Sequence, residues 1–226
     1  MSITKCLILI NIGMKHSFDF ALTTYCQAKC RSCARTNPST GEQADWLELK
    51  HMDLDVFKRV LSQSKNIEYD WIQFCGELGD PMMHPKVEDF IVEANKYVTT
   101  MIHVNTNGGL RNPDWYARMA RDYPRLRIKF GVDGTDHDTN WLYREGVDWQ
   151  RAMDNMTAWF TNGGVGAWHF LIFDWNWHQI PEAVDIAKKI GAPLEFKINN
   201  RQWGLITEEN RKIAWRLLEE HYDKLH

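Results

Sequence analysis

Six short apolar stretches recur along this chain, and each is followed by an amphipathic helical pattern or a long connection. They are Phe18–Thr23, Asp70–Phe74, Thr99–Asn105, Leu126–Val132, Ala167–Phe173 and Leu194–Ile198. Strands separated by helices pair in parallel, because each crossover returns the chain to the end where it started. The fold class is therefore α/β. A closed eight-stranded barrel takes roughly 250 residues, and this chain has 226. The expectation is a partial (β/α)6 TIM-like barrel of parallel strands, with a doubly wound open sheet as the runner-up. Residues 1–17 read as an N-terminal extension and 18–226 as one core domain.

The helical patterns carry their own boundaries. Asp53 caps a first helix with Val60 and Leu61 on its buried face, and Met52 is placed to staple onto Phe57. Pro85 suits the first turn of a second helix, in which Val87, Phe90, Ile91 and Ala94 keep the period. Asn112-Pro113 opens a third, carrying Trp115, Tyr116 and Met119. Asp148 caps a fourth, running inward through Ala152, Met153, Met156, Trp159 and Phe160 to a stop at Asn162-Gly163-Gly164. Residues 178–190 form a fifth, ended by Gly191, and Thr207 caps the last. Residues 34–51 read as an irregular connection.

Three of the five cysteines fall in the loop after the first strand, Tyr25-Cys26-Gln27-Ala28-Lys29-Cys30-Arg31-Ser32-Cys33. Their spacing is C-x3-C-x2-C. A structural zinc ion usually takes four ligands, mostly as two C-x2-C pairs, and no fourth ligand lies nearby. A [4Fe–4S] cluster on three thiolates accounts for the gap, since it leaves one iron open to a ligand that is not protein. The alternatives are a zinc knob completed by His or Asp and three unrelated buried thiols. Lys29, Arg31 and Arg35 stand around the thiols, either to offset cluster charge or as solvated loop charges.

A formal charge of −3 argues against general nucleic-acid binding. No apolar run reaches the ~18 residues of a membrane span. Cys6–Ile10 is apolar but ends at Asn11, too short for a signal peptide. Clustered thiols without such a signal point to a reducing compartment, so the expected location is cytoplasmic. The eleven tryptophans are assigned to core and rim packing, with a few left for a substrate cleft.

The cysteine loop resembles that of the radical SAM family, and further strand ends carry matching motifs. The second strand runs into Cys75-Gly76-Glu77-Leu78-Gly79-Asp80-Pro81-Met82-Met83-His84-Pro85, which is similar to the family's Gly-Gly-Glu-Pro turn. Gly76-Glu77 and Gly79-Asp80 compete for that match; Gly79-Asp80-Pro81 is favoured because the His-Pro then falls at the family spacing. Asn105-Thr106-Asn107-Gly108 resembles the Thr-Asn-Gly motif, and Gly131-Val132-Asp133-Gly134 with Tyr143-Arg144 resembles Ser-Ile-Asp-Gly with Tyr-Arg. The stretch Trp168–Ile180 resembles the SPASM/twitch-type peptide-modifying subgroup. Ser32 replaces the usual aromatic before the third cysteine, and Gly131 replaces the usual serine.

The resemblance implies a radical S-adenosylmethionine enzyme. Cys26, Cys30 and Cys33 would hold a [4Fe–4S] cluster, and S-adenosylmethionine would be bound by Gly76, Gly79, Asp80, Thr106, Asn107, Asp133, Arg144, Ile172 and Asn176. Reductive cleavage to methionine and a 5′-deoxyadenosyl radical would follow, with hydrogen taken from a substrate. Flavodoxin or ferredoxin is the implied electron donor. No cysteine follows Cys75, where the subgroup carries auxiliary clusters, so one cluster and an open barrel mouth suited to a peptide or protein substrate are expected. A small-metabolite substrate and a non-catalytic metal- or cluster-binding module are the competing readings.

Overall fold

The computed structural model describes residues 17–37, 39–64, 71–97, 101–200 and 204–221. Nearly all of the 1–17 extension, with Cys6, lies outside them. The strands are β1 (Ser17–Phe20), β2 (Trp71–Phe74), β3 (Met101–Thr106), β4 (Leu126–Gly131), β5 (Val165–Ile172) and β6 (Leu194–Ile198). The helices are α1 (Leu54–Gln63), α2 (Val87–Ala94), α3 (Pro113–Asp122), α4 (His137–Trp141), α5 (Trp149–Thr161), α6 (Ile180–Ile190) and α7 (Glu208–Glu220).

All six strands are parallel, and their order in the sheet is their order in the chain. A doubly wound sheet reverses direction at a switch point, and this one does not, so the runner-up is excluded. No ladder joins β1 to β6 among the described residues, which makes the sheet open.

Alternation along the strands separates two surfaces. Ile72, Phe74, Ile102, Val104, Ile128, Phe130, Phe170 and Ile172 are fully or almost fully buried. They meet the helices: Phe74 packs edge-on to Phe57 of α1, and Phe130 against Tyr116 of α3. The intervening residues, among them Gln73, Asn105, Lys129 and His169, line a cavity on the other face. That polar face is where the sheet can do chemistry.

The expected caps form. Side-chain oxygens of Asp53, Asn112, Asp148 and Thr207 accept from the backbone N–H groups of Asp55, Trp115, Arg151 and Asn210 at 2.6–3.2 Å. Some boundaries differ. Pro85 precedes α2 by two residues; the helix starts at Val87 after the N-cap Lys86, whose N–H donates to His84 Nδ1. β1 stops at Phe20, after which Thr23 bridges antiparallel to His51. α6 begins at Ile180 after a 3-10 turn over Trp177–Gln179. The short helix α4, capped by Asp136, has too few residues to show a period.

Candidate active site

The three thiols sit on a loop whose backbone is held from several sides. Thr24 N donates to Lys50 O, and Lys29 N to Glu145 O. Cys33 N turns back to Cys30 O at 3.0 Å. The main tie is Arg35, only 8% exposed. Its Nε donates to Leu78 O at 3.0 Å, Nη2 to Thr24 O at 3.0 Å, and Nη1 to Ala28 O and Cys26 O at 3.3 and 3.5 Å. One guanidinium thus binds the cysteine loop to the turn after β2. Lys29, by contrast, pairs with Glu42 in solvent.

That turn approaches the loop so closely that position 79 must be glycine. A Cβ there would lie 2.2 Å from Thr23 O and 2.7 Å from Tyr25 O, while Asp80 N donates to Tyr25 O at 2.9 Å. The Asp80 carboxylate is buried and fully engaged. It accepts from Met82 N, Thr106 Oγ1 and Asn107 N at 2.8–2.9 Å. Burial still pushes its pKa above the usual carboxylate range. It therefore joins the ends of β2 and β3 rather than offering a free charge. Asn107 extends the chain of contacts: its Oδ1 accepts from Gln27 Nε2 at 2.7 Å, and its Nδ2 reaches Cys26 Sγ at 3.7 Å.

Arg144 closes the other side. Its Nε donates to Asp133 Oδ2 at 2.6 Å, its Nη1 lies 3.9 Å from Cys30 Sγ, and it packs over the Tyr143 ring. Gly131 makes the room, since a Cβ there would lie 2.6 Å from Arg144 Nη2. The usual family serine would force this guanidinium to shift. Asp133 is fully buried and also accepts from Leu171 N at 2.7 Å.

A single cavity of about 1720 Å³ is lined by Cys26, Cys30, Cys33, Gly76, Gly79, Asp80, Thr106, Asn107 and Arg144. Pockets for one drug-sized ligand run to roughly 1,000 Å³, so this one has space for more than one group. Three residues expected at the cofactor are not in the cavity lining. Asp133 acts behind Arg144. Ile172 is buried on the helix face of β5, and its neighbour Leu171 lines the cavity instead, as the two-residue strand period requires. Asn176 is fully buried, with Nδ2 donating to Asp133 O and Leu171 O and Oδ1 accepting from Phe173 N. Its donors are spent on backbone, so it positions the end of β5.

The radical SAM superfamily profile matches residues 20–187. The chain belongs to the radical SAM superfamily. Members of that superfamily work with a [4Fe–4S] cluster and S-adenosylmethionine. Among solved structures, Streptococcus suis SuiB bound to S-adenosylmethionine superposes with a TM-score of 0.72 at 14% identity, over 93% of this chain and 48% of that one. The native anSMEcpe structure with bound AdoMet superposes with a TM-score of 0.69 at 13% identity, over 91% and 60%. The chain thus spans about half to three-fifths of these structures' length, and at such identity the likeness is one of fold. No curated protein matches. Among the described residues no helix is long and apolar enough to cross a membrane.

The donor set suits the family's cluster. Burial pushes the Cys26 thiol up to about 12 and raises Cys30 as well. Such thiols stay protonated and inert alone, and ionise against a bound cation. Among the described residues no three His, Cys, Asp or Glu side chains converge on a point fit for one metal ion. A radical SAM site also needs positioning residues that the motifs do not mark. Besides Gln27 and Arg35 these are Asn140, which accepts from Asp133 N, and Asn155, which donates to Gly108 O and Leu110 O. Asn155 was visible as a polar residue on the apolar face of its helix; such a residue needs a buried partner.

Proposed function

We propose that Cys26, Cys30 and Cys33 hold one [4Fe–4S] cluster, that S-adenosylmethionine lies across the ends of β2–β4, and that the substrate is a peptide or protein segment. One observation carries this reading: residues of three strand-end motifs and all three thiols line one cavity, with the cysteine loop tied to the ends of β2 and β3 through Asn107, Asp80 and Arg35 and approached from the β4 side by Arg144. When bound, the cluster and S-adenosylmethionine supply a 5′-deoxyadenosyl radical for hydrogen abstraction.

The chain's own groups orient and shield. Gly76 and Gly79 line the cavity with bare backbone, suited to the methionyl ammonium. Arg144 keeps two guanidinium nitrogens beyond its bond to Asp133, suited to the carboxylate. Arg35 places a positive charge behind Cys26, favouring its thiolate.

Two observations favour a peptide. Structures of SuiB bound to precursor peptide SuiA and of anSMEcpe with AdoMet and Kp18Cys peptide share this fold. In this chain Trp46 stands 62% exposed on the cavity lining, an apolar surface for a docking segment. Flavodoxin or ferredoxin serves as donor, in the cytoplasm. The test is uncoupled turnover. With dithionite and S-adenosylmethionine alone, 5′-deoxyadenosine forms slowly, and the peptide partner accelerates it. Fast turnover coupled to a free sugar or nucleoside would replace the peptide reading with a small-metabolite one.

A further inference from the structure

The cavity has a second wall that the cofactor motifs do not use. On β4, β5 and β6 the strand period turns Lys129, His169, Leu171 and Lys197 into it. Register makes them neighbours: Gly131 faces His169, His169 faces Glu195, and Leu171 faces Lys197. Ala167, opposite Lys129, is small enough for the lysine to reach across β5. Lys129 Nζ thereby donates to Glu195 Oε2 at 3.0 Å, and His169 Nε2 lies 2.8 Å from the same oxygen.

The charges on this wall do not cancel. Lys129 and Glu195 neutralise each other. Burial, then Lys197, hold His169 below the usual imidazole range, so it is neutral near pH 7. Lys197 has no ion-pair partner among the described residues, and one positive charge is left over. The groups facing it are of little help. Arg144 is divided between Asp133 and the cofactor carboxylate assigned to it above, Asp80 is enclosed by its own hydrogen bonds, and Gln73 and Asn105 are neutral. The acidic side of the barrel lies across the sheet, where Glu77 raises Asp19 beyond the effect of burial. The lumen is negative by β1–β2 and positive by β4–β6.

We infer that the substrate group entering the lumen carries a carboxylate, received by Lys197 beside the Lys129–Glu195–His169 cluster. One surplus charge matches a monoanion. A phosphate monoester carries close to two negative charges at pH 7 and would be left half-compensated. The inference rests on the proposed peptide substrate, for which the group is an aspartate or glutamate side chain.

The experiment is calorimetry on cluster-loaded protein with S-adenosylmethionine at low ionic strength. The probes are end-blocked Ala-Glu-Ala, its isostere Ala-Gln-Ala, and the monocarboxylate butyrate. The glutamyl peptide should bind at least about tenfold tighter than the glutaminyl one. Lys197→Met should erase that difference, and Lys188→Met, on the outer face of α6, should leave it intact. Equal binding of the two peptides, or discrimination surviving in Lys197→Met, overturns the inference while leaving the peptide reading in place. Butyrate bound through Lys197 with neither peptide binding supports the carboxylate site and removes the peptide.

Discussion

Replacing Arg35 by methionine should separate the cysteine loop from the turn after β2. Methionine keeps most of the stem's bulk, so the loss is confined to the guanidinium. Four backbone oxygens lose their donor, two at 3.0 Å and two at the longer 3.3 and 3.5 Å. A hydrogen bond to a charged group contributes about 1.5–3 kcal/mol. Counting only the two short bonds, and allowing for water reaching part of the site, the cost is about 3–4 kcal/mol. Domains of this kind hold about 5–15 kcal/mol in total, so the variant should fold and be visibly weakened. Arg35→Lys should lose nearly as much, because one ammonium cannot span the carbonyls of Thr24 and Leu78. Urea unfolding of the metal-free protein gives the stability difference, and iron content after reconstitution gives the effect on the loop. A loss under about 1 kcal/mol in both variants would show that water replaces the arginine and that the tie is not structural.

Gly131→Ser restores the family's usual residue and should harm this chain. Its Cβ would meet Arg144 Nη2 at 2.6 Å, so S-adenosylmethionine affinity by calorimetry should fall by about 1–3 kcal/mol, the range for forced overpacking; unchanged affinity would place Arg144 outside the cofactor site. His84 is buried, donating from Nε2 to Met52 O and accepting at Nδ1 from Lys86 N, and burial lowers its pKa. Below the unfolded value near 6.5, the unfolded chain takes a proton that the folded chain refuses. Stability should therefore fall as pH drops from 7 toward the folded pKa, by at most about 1.4 kcal/mol per pH unit from this residue. His84→Gln should flatten that slope in urea titrations, and an unchanged slope would reassign it to other groups.

Much of this was legible because it depends on local periodicity. The alternation of Ile72 with Gln73, or of Phe130 with Gly131, fixes both the strand and the face, and Asp53, Asn112, Asp148 and Thr207 announce their helices. The cysteine spacing and the strand-end motifs located the cavity for the same reason. What stayed hidden depends on contacts distant in sequence. Arg35 reads as a counter-charge to a cluster or as a solvated loop charge until Leu78 is brought beside it, 43 residues away. Asn176 and Asp133 read as cofactor ligands until their polar atoms are found committed to each other and to neighbouring backbone. Ile172 was one residue from Leu171, and only the strand register decides which of the two faces the cavity. The lysine wall was invisible because it is assembled from three strands with no shared motif.

The central claim is that three thiolates hold one cluster with an iron left open to S-adenosylmethionine. The most direct measurement is iron content together with electron paramagnetic resonance of the dithionite-reduced, anaerobically reconstituted protein, before and after S-adenosylmethionine is added. Wild type, Cys6→Ala and Cys75→Ala should each carry about four irons per chain, as one [4Fe–4S] cluster requires, with a spectrum that changes when S-adenosylmethionine binds. Alanine at Cys26, Cys30 or Cys33 should abolish that signal. An iron count near eight, a cluster lost in Cys75→Ala, or a spectrum indifferent to S-adenosylmethionine would contradict the account.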